Sequence, residues 1–227
     1  TDSKDEMLRK SYLEDAHRLA LREVNSRRTP SSEEGFGIPQ ERVNFYVDNL
    51  VKISKLFGTN DSIPDLSMIH TFPNPDLQQV LVVLDKDSQF KESFSQKRTV
   101  TPDLYMNQLL SQNKISIVEY RESLIGPQVV MRSANYLNTA ELANTFAQFK
   151  GIKAAEAEIA SGDGNDITTG SEGKNAFAIR LSIGAGDCPS GCIHRKFWVF
   201  YVNPDNTIYF AGTRGSLPEE GEGKGER

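Results

Sequence analysis

Apolar and polar positions alternate along this chain in two distinct periods, and the periods sort most of it into elements. Met7, Leu8, Tyr12, Leu13, Ala16, Leu19, Ala20 and Val24 recur at three-and-four spacing behind a Ser3/Glu6 capping box, which predicts an amphipathic helix over 3–24. Pro39 opens a second helical face, Val43, Tyr46, Val47, Leu50, Ser54 and Phe57, that ends at Gly58. Asn25 to Gly37 carries charge and turn residues without a period, so it reads as a loop across which the two helices pair. Asn60 to Asp76 is proline-rich and reads as a short extended piece, Met68 to Phe72, followed by a turn.

From Leu77 the pattern changes. The valine-rich run to Asp85 suits a buried strand, Asp85 to Lys97 a helix, and Thr101-Pro-Asp opens a helix carrying Leu104, Leu109 and Leu110. Strands are expected at Ile115–Tyr120, Gln128–Met131 and Gly151–Ile159, with a helix over Thr139–Lys150 capped by Asn138. Strand, helix, strand, strand, helix, strand is the order of a split βαβ sheet, to which the C-terminal meander is expected to add strands.

The last third reads as a meander. Phe177, Ile179, Leu181 and Ile183 alternate with smaller or polar residues, which is the mark of a half-buried strand. Beyond a cysteine-bearing turn, Phe197, Val199 and Tyr201 face one way and Trp198, Phe200 and Val202 the other, so this strand is expected to be central. Asn203-Pro-Asp-Asn206 predicts a type I turn, and Thr207 to Ala211 returns. The expectation is one α+β domain over 1–218. It comprises a helical pair (1–58) packed on a mostly antiparallel sheet, a split βαβ-like portion (77–160) and a three-stranded meander (175–213). Residues 219–227, glycine and charge without apolar anchors, read as a disordered tail.

Composition narrows the partners. With 26 basic against 31 acidic residues the net charge is -5, and the basic residues are scattered, which argues against a nucleic-acid surface. No apolar run approaches the roughly 20 residues a membrane helix needs. The chain opens on Thr1-Asp-Ser without an initiator Met, which suits a mature form with its leader removed and, on the full-length protein, a lipid anchor.

The candidate chemistry is concentrated in one turn. Cys188 and Cys192, the only two cysteines, flank Pro189-Ser-Gly191 and point to a structural disulfide clamping a hairpin end, and so to an oxidising compartment. The alternative is a metal or thiol redox site using Asp187, Cys188, Cys192 and His194, although a closed zinc site takes four protein ligands and the spacing matches no zinc ribbon. Asp163, Asn165 and Asp166 offer oxygen ligands but lack EF-hand spacing and its closing glutamate, which favours a plain turn. His194, Arg195 and Lys196 form a local basic edge, either a solvated strand start or a contact for an anion or acidic partner. Glu14, Asp15 and His17 read as a polar helix face. No phosphate loop, nucleophile elbow or convergent catalytic set is visible, and no cofactor is expected.

The string Gly186-Asp-Cys-Pro-Ser-Gly-Cys-Ile-His-Arg-Lys-Phe-Trp198, with Tyr12 to Glu23 and Ile69-His-Thr-Phe72, resembles a group of uncharacterised exported bacterial proteins, many with lipoprotein leaders. The Asp-Cys-Pro-x-Gly-Cys-Ile core is the distinctive part. The resemblance implies export and an intact disulfide and transfers no catalytic residue. The resulting expectation is an exported, non-enzymatic binding or interaction protein of the periplasm, cell surface or medium, whose partner is a protein or small molecule. A metal-binding or redox protein is the alternative.

Overall fold

The computed structural model describes residues 3–26, 35–59, 61–172 and 176–218, an α+β protein whose strands fall into two four-stranded antiparallel sheets. The supposed tail, 219–227, and most of the loop at 27–34 lie outside the described residues. By its internal contacts the chain divides into two compact units, where the sequence led us to expect one domain.

The first unit comprises the described parts of Thr1–Glu23, Pro39–Asn74 and Ser161–Arg227. The predicted first helix is interrupted at Tyr12, giving α1 (Ser3–Ser11) and α2 (Leu13–Ser26). The interruption is slight, because Tyr12 N still donates to Leu8 O at 3.1 Å and Ala16 N to Tyr12 O at 2.9 Å. Helix α3 (Gln40–Ser54) starts after Pro39, whose fixed φ suits a helix start. Ion pairs from Arg9 to Asp48 and from Lys55 to Asp5 join α1 to α3. The sheet, β5 (Asp166–Glu172), β6 (Ala176–Ala185), β7 (His194–Val202) and β8 (Ile208–Ser216), runs in that spatial order. Phe177 of β6 packs edge-on against Phe45 of α3, with centroids 5.6 Å apart, so the helical pair rests on this sheet as expected.

The central place of β7 follows from its composition. Trp198, Phe200 and Val202 are buried on one side, and Val199 on the other beside half-buried Phe197 and Tyr201. Its turn to β8 closes through Asn206 N donating to Asn203 O at 2.9 Å, with Asn206 at φ 61°, a left-handed conformation that asparagine tolerates.

The second unit holds the described parts of Val24–Ile38 and Pro75–Ala160. It has β1 (Gln79–Leu84), α4 (Lys91–Ser95), α5 (Leu104–Gln112), β2 (Ile115–Arg121), β3 (Gln128–Ser133), α6 (Thr139–Phe146) and β4 (Ile152–Ala157). Its strand order is β2-β3-β1-β4, all antiparallel, which is the split βαβ arrangement the element order predicts. Asp103 and Asn138 cap α5 and α6 by accepting from Met106 N (2.9 Å) and Glu141 N (3.3 Å). Two expectations need correction. The helix over 85–97 shrinks to the single turn of α4, and the meander builds its own sheet, gaining β5, instead of extending the split βαβ sheet.

Candidate functional site

The two cysteines both fall in the connection between β6 and β7, and they are bonded to each other. Among the described residues no free cysteine remains. The bond therefore closes a ring inside one turn, and the two strands on either side are held by their own hydrogen-bonded register from Phe177↔Val202 to Ala185↔His194. Gly191, at φ 126°, makes the turn that brings Cys192 back to Cys188. Gly184 must also lack a side chain, since a Cβ there would collide with Cys192 Sγ.

The loop before β5 locks onto this ring. Asp163 N donates to Cys188 O at 2.8 Å, Cys192 N donates to Asp163 Oδ2 at 3.2 Å, and Asn165 Oδ1 accepts from Gly184 N at 3.2 Å. Arg195 completes the tie, donating to Asp163 Oδ1 (2.5 Å), Gly164 O (2.8 Å) and Ser182 Oγ (2.9 Å). The hydrogen bond from Arg195 is the main reason the Asp163 carboxyl sits below its ordinary pKa. Asp166 is engaged elsewhere, by Arg22 at 3.1 Å and by Phe72 N at 2.6 Å. Thus the oxygens of Asp163, Asn165 and Asp166 serve protein donors, the thiolates that a soft metal needs are joined as a disulfide, and no cluster of three or more metal-ligating side chains forms among the described residues.

Strand geometry separates the basic edge into two parts. Side chains alternate across a strand, so His194, Lys196 and Trp198 share one face of β7 and Arg195 belongs to the other. Arg195 is spent inside the protein; His194 is exposed. Lys196 lies half-buried with its ammonium 5.2 Å from the centre of the Trp198 ring, and it has no carboxylate partner among the described residues. These two side chains border a cleft of about 290 Å³, completed by Phe210, Gly212 and Thr213 of β8 and by Asp61, Ser62 and Pro64. A β-bulge shapes it: the β7–β8 register slips between Val199 and Phe200, and Gly212 takes φ +109° with open space where a Cβ would stand.

Sequence reasoning misjudged the first helix. Of the supposed polar face Glu14 is exposed and His17 partly buried, but Asp15, only 2% exposed, joins the 4% exposed Arg18 in a buried node. Asp15 Oδ1 accepts from Thr71 N (2.7 Å) and Thr71 Oγ1 (2.8 Å), and Arg18 donates to Thr71 Oγ1 (2.8 Å) and Glu14 Oε1 (2.7 Å). The other Asp15 oxygen lies 2.7 Å from His70 Nδ1. His17, next to Arg18 in the chain, is partly buried, which lowers its pKa despite a contact of 2.8 Å to Leu13 O. The available signal was the extended Met68–Phe72 stretch, whose alternation turns Thr71 inward and His70 outward.

No protein-family model, curated protein or solved structure matches this chain. Among the described residues no helix is long and apolar enough to cross a membrane.

Proposed function

We propose that this protein is an extracytoplasmic binding module whose β7–β8 cleft takes a carboxylate-bearing small molecule or an acidic segment of a protein partner. One observation carries the reading: Lys196 is half-buried as a residue, its ammonium lies 5.2 Å from the centre of the Trp198 ring, and it forms no ion pair among the described residues although Asp61 borders the same cleft. An arriving carboxylate meets the ammonium at the wall of the cleft while the indole and Phe210 cover an apolar body. The neighbouring ring, tied by a disulfide and by Arg195, keeps the start of β7 fixed, so little ordering is left for binding to accomplish.

Export belongs to the same reading. The Asp187-to-Ile193 motif supports it through the resemblance, the bonded cysteines suit an oxidising compartment, and a lipid anchor on the full-length protein would hold the module at a membrane surface. Calorimetric titration with benzoate and with short glutamate-containing peptides tests the cleft. The expected result is saturable binding that weakens at least tenfold in Lys196→Met and falls with added salt. Unchanged affinity in Lys196→Met, or no binding by either probe, would remove the reading.

A further inference from the structure

A second cleft, of about 280 Å³, opens on the same unit beside α2, bordered by Ser11, Glu14, Asp15, Arg18, His70 and Pro73 with Thr71. Its chemistry follows from the Asp15 carboxylate. A carboxylate accepts hydrogen bonds, so the 2.7 Å contact assigns a ring hydrogen of His70 to Nδ1 and makes Nε2 the ring position open to a substrate. Asp15 is buried and its second oxygen is pinned by both Thr71 donors, so it does not swing away. The His70 side chain is 49% exposed, and its Nε2 makes no hydrogen bond among the described residues. Tyr12 packs against the imidazole, 5.8 Å between ring centres, and burial pushes its hydroxyl up to about 12, so it stays uncharged beside the base. The result is an imidazole tethered through Nδ1 to a buried carboxylate, half-exposed, at the edge of a polar cleft.

Charge selects the class of substrate. Arg18 donates to Thr71 and Glu14, and the two carboxylates of Glu14 and Asp15 outweigh that single guanidinium. A phosphate or carboxylate would meet no excess positive charge here, whereas an uncharged acyl compound meets no repulsion.

We propose that this cleft is a hydrolytic site in which His70 acts as a general base on small uncharged carboxylic esters and Asp15 is its positioning residue. Nε2 removes a proton from a water molecule as the water oxygen bonds to the ester carbonyl carbon. The tetrahedral adduct then expels the alcohol oxygen, breaking the acyl C–O bond, and that oxygen takes the proton back from Nε2. Ester and water become acid and alcohol, and the imidazole is regenerated. The site is independent of the Lys196 cleft, so activity here would withdraw the expectation of a non-enzymatic protein and leave the binding reading standing.

The test uses the whole chain and p-nitrophenyl acetate. Turnover should saturate with substrate, and His70→Ala should lower kcat/KM at least tenfold without shifting the melting temperature by more than a few degrees. Added imidazole should restore part of the lost rate, and Asp15→Asn should lower kcat and displace the pH profile. Non-saturating hydrolysis, a loss under tenfold in His70→Ala, or no rescue by imidazole would overturn the proposal. A covalent acyl adduct on the chain, detected by intact mass, would overturn direct attack by water.

Discussion

Two polar ties hold distant segments of the first unit together, and they do so under opposite conditions. At the β6–β7 turn, Asp163 and Arg195 meet with side chains 37% and 20% exposed, beside a covalent ring. On α2, Asp15 meets Thr71 in nearly complete burial with no covalent help. The exposed tie has the stronger chemistry and the buried one the greater energetic weight, because a donor stranded away from water has no substitute partner. Burial, more than bond type, decides which tie the fold depends on.

The largest effect is therefore expected at the buried tie. Asp15→Ala strands the Thr71 amide and hydroxyl, and chemical denaturation should show a loss of about 2–4 kcal/mol. Replacing both Cys188 and Cys192 by serine opens a very short ring, worth about 2 kcal/mol in the loop-length model; urea melts with and without reductant measure it. A disulfide variant losing more than Asp15→Ala would break the comparison.

Asp163→Asn comes next, at about 1 kcal/mol or less near neutral pH, because a partly exposed ion pair is screened. Its pH dependence sharpens the point. A carboxyl whose pKa is held down by the fold contributes stability above its unfolded value, and that contribution disappears as pH falls through the folded value. Melting curves of the wild type and of Asp163→Asn should accordingly converge in acid. The smallest expected effect belongs to His17, whose folded pKa is lowered by burial. The unfolded chain binds the proton first, so stability should decline as pH drops below about 6.5, the ordinary histidine value. His17→Gln should flatten that decline in pH-dependent melts.

How much of this was legible beforehand depends on the reach of each interaction. The caps at Asp103 and Asn138, the split βαβ order and the central position of β7 are consequences of neighbours within a few residues, and each could be read from local pattern. Strand β5 escaped because an edge strand pairs on one side only, and Asp-Ile-Thr-Thr-Gly-Ser-Glu offers a single large apolar residue, Ile167, to mark it. The run of basic residues at the start of β7 was visible in the sequence, but assigning Arg195 to the inside required knowing that the 163–165 loop folds over β7. Asp15 and His70 were invisible as a pair for the same reason, being 55 residues apart. A polar residue on a helix reads as solvated until the segment that covers it is known.

The sulfur ring has a consequence for the order of events in making this protein. Since it is confined to a single turn, the β6–β7 ladder can zip up while both thiols are still reduced, and oxidation can arrive afterwards. The register of the sheet does not require the bond. What the late bond adds is a permanent set to one corner, so a newly made molecule and a mature one would share the same sheet and differ only in how stiffly that corner is held.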